Sequence, residues 1–523
     1  MEYHLADLFE YAVDNFADRD FVVCDGKRRT YGQMEERANR LAHHLQAVGV
    51  RPGDHVGIYA LNSVEWVEIM WAVFKIRAVW VNINFRYVEE ELRYLFTNAD
   101  LVALIHQPQF GDRVDGVLPH LPDLKHRLVI GPEYEAALAA QSPERDFGPR
   151  STDDHYILYT GGTTGMPKGV VWRHEDVFFA LGGGLDVPTG ERVTSPTGMV
   201  ERGIRNGPKT MLPIAPLMHG ATQWSVMQGG FVGDKLVLIP EFDPAEVWRL
   251  VAEEQVNVVM ITGDAMGRPL VEELDNPKAN YDFSSMYALA STAAVFSPSV
   301  KDEFFKRMPD LIMSDSVGSS EGGANGFTYV SKDNTAMKGG PTINPNVDTA
   351  VFADDGSRVE PGSGVVGKIA RSGAVPIGYY KDPEKTAATF VEMEGRRWSI
   401  PGDFATVEAD GTITLLGRGS VSINSGGEKI YPEEVEGVVK SHPDVWDAVV
   451  VGVPDERWGQ RVAAVVQARE GATPELESIQ EHCRVSLARY KVPRELHVVA
   501  HMQRSPSGKP DYRWALDIAT TKQ

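Results

Sequence analysis

Tyr159-Thr-Gly-Gly-Thr-Thr-Gly-Met-Pro-Lys-Gly169 follows directly on the apolar run 157–159. Its four glycines allow backbone conformations closed to other residues and a close approach to a ligand. Three threonine hydroxyls and Lys168 add donors suited to phosphate oxygens. A plain flexible surface loop would not need this density of donors after a strand. The P-loop signature GxxxxGK[ST] requires lysine directly after the second glycine and a hydroxyl residue after it. Lys168 instead follows Pro167 and precedes Gly169, so that geometry is excluded. No GxGxxG pattern with a downstream acidic residue stands out either, which weakens a dinucleotide reading.

Outward from this stretch, strand-like and helix-like segments alternate for about four hundred residues. Strands are expected at 21–24, 56–60, 79–83, 102–105, 157–159, 236–239 and 258–261. Between them lie helical patterns, including 63–75, 244–254 and one with Met34, Ala38, Leu41, Ala42, Leu45 and Val48 at the 3.6-residue period. Thr30 and Gln33 form a capping-box pattern at the start of that helix. Such alternation favours largely parallel, buried sheets with helices on their faces. After about 351, turns such as Asp355-Gly356, Pro361-Gly362 and Pro401-Gly402 space short strands, as in a small β-rich subdomain. A second boundary falls at 417–420, and the last hundred or so residues alternate again (433–440, 448–453, 462–467, 476–487).

The bulk composition agrees with a large, folded chain. At 523 residues and 42% apolar content, at least two domains are expected, because single cores rarely grow beyond about 250–300 residues. The net charge of −21 provides no field for nucleic acid or an anionic membrane. Cys24 and Cys483 lack metal or disulfide spacing, the N-terminus carries no signal-peptide pattern, and a reducing cytoplasm is expected. The most apolar stretch, around 66–81, is broken by Glu68, Lys75 and Arg77, so no integral membrane span is expected.

Further motifs come in a fixed order. They are Pro216-Leu-Met-His219-Gly220, Asp315-Ser316-Val317 leading into Gly318-Ser319-Ser320-Glu321, Pro401-Gly402-Asp403 and Leu416-Gly417-Arg418. Gly426-Gly427-Glu-Lys-Ile-Tyr-Pro-Glu-Glu-Val-Glu436 and Ser505-Pro-Ser-Gly508-Lys509 complete the series. Together with the phosphate stretch they resemble the adenylate-forming superfamily of acyl-CoA synthetases, luciferases and peptide-synthetase adenylation domains, over essentially the whole chain.

The resemblance implies an α/β fold. A large N-terminal domain (1–418) of mostly parallel sheets flanked by helices would include a small β-rich subdomain at about 350–418. A small mobile α+β C-terminal domain (419–523) would follow it. The implied chemistry has two steps. A carboxylate attacks the α-phosphorus of Mg-ATP, and the thiol of coenzyme A then takes the acyl group and releases AMP. Thr160, Gly161, Gly162, Thr163, Thr164, Gly165 and Lys168 would cradle the β/γ-phosphates, with Thr164 and Glu321 around magnesium. Asp315, Ser316, Val317, Gly318, Ser319 and Ser320 would border adenine, and Asp403 and Arg418 the ribose. His219 would gate the acyl pocket. Lys509 would neutralise charge as the adenylate forms, and Gly426 and Gly427 would leave room for the pantetheine arm. The C-terminal domain would swing about a hinge at 418–420 between the steps. Three positions depart from the pattern: Gly161 replaces a frequent serine, Val317 a frequent tyrosine, and Ser420 a frequent Asp or Lys.

Asn82-Ile-Asn-Phe-Arg-Tyr, Trp172-Arg-His-Glu-Asp, Ala290-Ser-Thr-Ala-Ala and the segment after Gly417 resemble the branch of fatty-acyl-CoA synthetases whose actinobacterial members activate steroid side-chain acids. The expected partner is therefore a bulky hydrophobic carboxylic acid, with a medium- or long-chain fatty acid as the alternative. Loading of a carrier protein is a more distant alternative. An apolar acid needs an apolar pocket, for which Met218, Trp224, Met227, Ala293, Val295 and Phe296 are candidates. Gly182-Gly-Gly184 and the polar stretch 187–209 are read as a mobile segment near the entrance. The oligomeric state is left open, a homodimer included.

Overall fold

The computed structural model describes residues 3–521 apart from 163–164, 187–189, 278–279, 333–340, 419–420, 426–427, 456–457 and 505–507. At 161–162, 165, 418 and 428–429 it describes the backbone alone.

Val79–Asn82 is buried along its whole length, as a strand covered on both faces must be. It sits inside a seven-stranded sheet. His126–Val129, Leu101–His106, His55–Tyr59, Val79–Asn82 and His155–Gly162 run parallel, and Gly165–Arg173 and Gly378–Tyr379 then turn antiparallel. Beneath it lies helix Val64–Lys75, whose start is capped by Ser63 accepting from the Trp66 amide at 3.2 Å. Every residue of this helix is buried, including the Glu68 and Lys75 that break the apolar run in the sequence. Both are paired: Lys75 donates to Glu35 at 2.9 Å, and Glu68 accepts from Arg37 at 2.6 Å and from the Tyr134 hydroxyl at 3.0 Å. Buried charge is tolerated only with such partners. Among the described residues no helix is long and apolar enough to cross a membrane.

A larger sheet of fifteen strands stands beside the first. Its parallel part comprises Asp20–Cys24, Lys235–Leu238, Thr210–Pro213, Val258–Ile261, Ala288–Thr292 and Ile312–Ser319. From Ile312–Ser319 onward pairing is antiparallel through Gly323–Val330 and Thr342–Pro345 to Ile413–Arg418 and Asp403–Val407. The β-rich segment thus continues this sheet, because Thr342–Pro345 pairs on one side with Gly323–Val330 and on the other with Ile413–Arg418.

The expected helix over 244–254 forms as Pro244–Glu253 with Asp243 as its cap, and the Thr30/Gln33 capping box is present on Tyr31–Ala47. Within the polar stretch 187–209, read from the sequence as a mobile segment, Gly198–Asn206 is a helix. Gly203 lets it lie backbone to backbone on helix Gly220–Val232, since a Cβ there would collide with the Val232 carbonyl.

The last hundred residues build a five-stranded sheet of Glu428–Ile430, Ile423–Ser425, Gly459–Ala468, Val445–Asp455 and Glu495–Val499. Helices Pro432–Lys440 and Leu476–Ser486 cover one face around Val435, Val439 and Ile479. Tyr512–Thr520 covers the other through Ala515 and Ala519.

Candidate active site

On either side of Thr163 and Thr164 the glycine- and threonine-rich stretch lies in two paired antiparallel strands. His155–Gly162 pairs directly with Gly165–Arg173, placing Thr160 opposite Lys168 in register. Thr163 and Thr164 lie outside the described residues. A Cβ at Gly169 would press to 2.8 Å on the side chains of Ile157 and Tyr159, so the second strand needs glycine there.

Asn82 fixes the base of the hairpin. Its side chain accepts from the Tyr159 amide at 2.8 Å and donates to the carbonyls of Tyr159 at 3.0 Å and Met218 at 2.6 Å. One buried side chain thereby sets the hairpin against the segment that carries His219. Lys168 is ion-paired with Asp382, which also caps helix Pro383–Thr389 by accepting from the Lys385 amide at 2.9 Å.

His219 begins helix Gly220–Val232. Burial lowers its pKa to about 4, with further depression from the nearby cations of Lys509 and Arg86. The imidazole is therefore neutral at physiological pH. Lys509, 290 positions further along the chain, thus contributes to the field that His219 feels.

Gly318-Ser-Ser-Glu321 forms the turn between Ile312–Ser319 and Gly323–Val330. A Cβ at Gly318 would come within 2.6 Å of the Gly323 carbonyl oxygen, which explains that glycine. The Ser319 hydroxyl accepts from the Gly322 amide at 2.9 Å, and Trp172 of the phosphate hairpin donates to the Ser320 carbonyl at 3.0 Å. Glu321 is held at two points. Its Oε1 accepts from the Tyr379 hydroxyl at 3.0 Å, and its carbonyl accepts from the Ser399 hydroxyl at 2.6 Å. Among the described residues its Oε2 has no hydrogen bond. No group of three or more His, Cys, Asp or Glu side chains forms a metal cage among those residues. One carboxylate with an uncommitted oxygen fits magnesium, which keeps most of its ligands as substrate phosphates and water.

Asp315 is turned toward the buried Lys301, with which it forms an ion pair; burial raises its pKa and the lysine opposes that rise. The Ser316 hydroxyl donates to the Ser291 carbonyl at 3.2 Å, and Val317 packs on the cluster around Ile343. Asp403 and Arg418 are direct neighbours across Asp403–Val407 and Ile413–Arg418. Gly426 and Gly427 lie outside the described residues, as does Ser420 at the expected hinge.

Gly508 packs on the connection between strand Val258–Ile261 and helix Asp264–Glu273. A Cβ at Gly508 (φ +73°) would come within 2.9 Å of Ala265 Cβ and 3.1 Å of the Thr262 carbonyl oxygen. Two further contacts hold the C-terminal sheet in this pose: Arg268 lies 5.0 Å from the Trp446 ring centre, and Phe404 lies 5.6 Å from Tyr431.

Met227 and Phe296 are buried in separate cores, Trp224 packs on the first of them, and Ala293 takes a left-handed φ of 66°. Two cavities around Leu61, of about 330 and 450 Å³, contain none of them. Asn82, Tyr379, Asp382 and Trp172 were missed as site residues. Only Asn82 and Trp172 stood in segments the sequence had marked as familiar, and no motif marked their role.

A family model described as AMP-binding enzyme matches residues 9–380, and one described as AMP-binding enzyme C-terminal domain matches 434–509. The chain is 54% identical to the 3-oxocholest-4-en-26-oate–CoA ligase of Rhodococcus rhodochrous, covering 99% of this chain and 96% of that one. It is 52% identical to a medium/long-chain-fatty-acid–CoA/3-oxocholest-4-en-26-oate–CoA ligase of Mycolicibacterium smegmatis, covering 99% and 97%. The anthranilate CoA ligase AuaEII, solved with anthranoyl-AMP, superposes with a TM-score of 0.87 at 22% identity, covering 100% of this chain and 99% of that one.

Proposed function

The chain belongs to the AMP-binding enzyme family and is an AMP-forming acyl-CoA ligase using ATP, magnesium and coenzyme A, and on that premise we propose that its acid is a steroid side-chain carboxylate. The observation that carries this reading is the near-full-length identity to two ligases named for 3-oxocholest-4-en-26-oate. Medium- and long-chain fatty acids are the second reading, favoured by the double name of the mycobacterial relative. Competition between a steroid side-chain acid and straight-chain acids, read as relative kcat/KM, decides between them. Preference for the straight chains would overturn the steroid assignment.

In the proposed mechanism the N-terminal domain ends at 418 and the remainder moves as a unit about 418–420. The hairpin 160–168 binds the β/γ-phosphates, with Lys168 exchanging its Asp382 partner for a phosphate oxygen. Asp403 accepts from the ribose hydroxyls beside Arg418, and the segment 315–320 borders adenine. Thr164 and Glu321 would hold magnesium, which when bound neutralises phosphate charge. The substrate carboxylate oxygen attacks the α-phosphorus, the bond to the bridging oxygen breaks, and pyrophosphate leaves. Lys509 meets the charge that builds in that step; its support is the Gly508 seat on Thr262 and Ala265 and its field at His219. His219, kept neutral, gates an apolar chain without placing a cation against it. After the C-terminal unit turns, Gly426 and Gly427 admit pantetheine, the CoA thiol attacks the acyl carbon, and AMP leaves.

This reading requires a small-molecule acid as partner. It does not require a homodimer, because every residue named comes from one chain. A cytoplasmic location is supported by two buried, unpaired cysteines.

A further inference from the structure

We propose that Tyr379 is the positioning residue for the metal-binding carboxylate, orienting Glu321 through its phenol and coupling it to the phosphate hairpin. The inference rests on the reading of Glu321 as the magnesium carboxylate.

Tyr379 stands on the two-residue strand Gly378–Tyr379, which the seven-stranded sheet adds to the outer side of the hairpin, with Tyr379 opposite Val170 and Gly378 opposite Val171. The Ile377 amide donates to the Val171 carbonyl at 2.7 Å and the Tyr380 amide to the Gly169 carbonyl at 2.8 Å. The Tyr379 amide itself donates to the Thr386 hydroxyl at 2.8 Å. Three backbone bonds thus fix the residue, and its buried ring lies 6.0 Å from Phe390. The phenol therefore has little freedom, and it donates to Glu321 Oε1 at 3.0 Å.

A hydroxyl donating to an ionised carboxylate is a charge-assisted bond, stronger than a neutral one. By engaging Oε1 it selects one carboxylate rotamer and leaves Oε2 as the oxygen for a cation. The same short strap carries Asp382, the partner of Lys168. One segment thus holds the phosphate cation and the metal carboxylate in fixed relation, although the two lie 153 positions apart in sequence. Partners that orient a metal ligand in this way typically change metal affinity about 10–100-fold when removed.

The test measures ATP binding calorimetrically on the full chain, without acid or CoA, at varied magnesium and again with chelator. For Tyr379→Phe, half-maximal magnesium enhancement should need about 10–100-fold more metal, while chelated ATP binds as in the wild type. Phenylalanine keeps the ring packing, and an unchanged melting temperature verifies the fold. Tyr380→Phe, one position along, whose hydroxyl bonds Asp100 at 2.7 Å, should leave metal dependence unchanged. Wild-type metal dependence in Tyr379→Phe, or equal weakening with and without metal, would overturn the proposal. Glu321→Gln separates the two levels. If it shifts metal dependence while Tyr379→Phe does not, only the positioning role falls; if neither does, the metal reading of Glu321 falls with it.

Discussion

The Arg504 guanidinium grips the Asp447 carboxylate at two points, Nε to Oδ2 at 2.7 Å and Nη2 to Oδ1 at 2.6 Å, while its Nη1 donates to the Gly508 carbonyl at 2.9 Å. Burial alone would raise the Asp447 pKa, yet Lys440 and Arg504 outweigh it and hold it at about 2. The pair is therefore ionised throughout the working range, and the Gly508 backbone next to Lys509 is tied through Arg504 to the C-terminal sheet by a forked, charge-assisted contact. A lysine on a C-terminal tail would otherwise sample many positions, at a cost in rate, because transition-state charge is stabilised only by a preorganised partner.

Replacing Arg504 by alanine should slow acyl-adenylate formation by about 10–100-fold, the range expected when a supporting contact of a reacting group is lost. Pyrophosphate release in a single turnover measures the effect, and thioester formation from supplied acyl-adenylate should stay within a few-fold of wild type. Equal loss in both half-reactions would show that Arg504 holds the domain together without positioning Lys509. Arg504 is buried against an ionised partner, so a melting curve must accompany the assay.

Lys509→Ala separates the same half-reactions more sharply. Adenylate formation should fall by about 10²–10³, the usual loss for one electrostatic group at a charge-developing centre. Capture of supplied acyl-adenylate by CoA should persist. Gly427→Leu should give the opposite pattern, with pyrophosphate release spared and CoA capture blocked. Wild-type thioester yield in Gly427→Leu would move the pantetheine path elsewhere.

Periodicity and turn chemistry made the frame of this fold readable, and the motifs marked most of the candidate site. Thr30 and Gln33 specify their capping box locally, and the apolar spacing of Tyr31–Ala47 needs no partner to be recognised. The supports of the site are of another kind. Tyr379 reaches Glu321 across 58 positions and Asn82 reaches Met218 across 136. Such pairings depend on strand order in the sheet, which short-range pattern does not encode. The hairpin at 155–173 was hidden for a related reason, since glycines and a proline read as turn signals even when a strand continues through them. Lys75 and Glu68 break the apolar run as the sequence reading required, and the partners that let them be buried, Glu35 for one and Arg37 and Tyr134 for the other, lie far away in sequence.

Asn82→Ala tests one of those long-range supports. The change strands the Tyr159 amide and removes a donor from the Tyr159 and Met218 carbonyls, all in the interior. Each buried polar group left unpaired costs about 1–3 kcal/mol, so a clear drop in the urea midpoint is expected. KM for ATP should rise, because the hairpin base loses its anchor. Stability loss with unchanged ATP kinetics would confine Asn82 to a structural part.

Glu433 gives a pH-dependent outcome. It sits at the start of helix Pro432–Lys440 against the left-handed Gly417, and burial raises its pKa from 4.5 to about 8, with Glu436 of its own helix and Asp403 of the facing strand pushing the same way. The Tyr512 hydroxyl, from the C-terminal helix, opposes the rise. Between these two pH values the folded chain holds a proton that the unfolded chain has lost, so stability falls as pH rises through the window and levels off above it. Glu433→Gln keeps the size and a hydrogen-bonding amide while removing the titration. Its melting temperature should gain on wild type steadily from about pH 5 to about pH 8 and stay level beyond. Parallel curves for the two proteins over that range would show that Glu433 is ionised in the folded chain and that its packing against Gly417 does not depend on its proton.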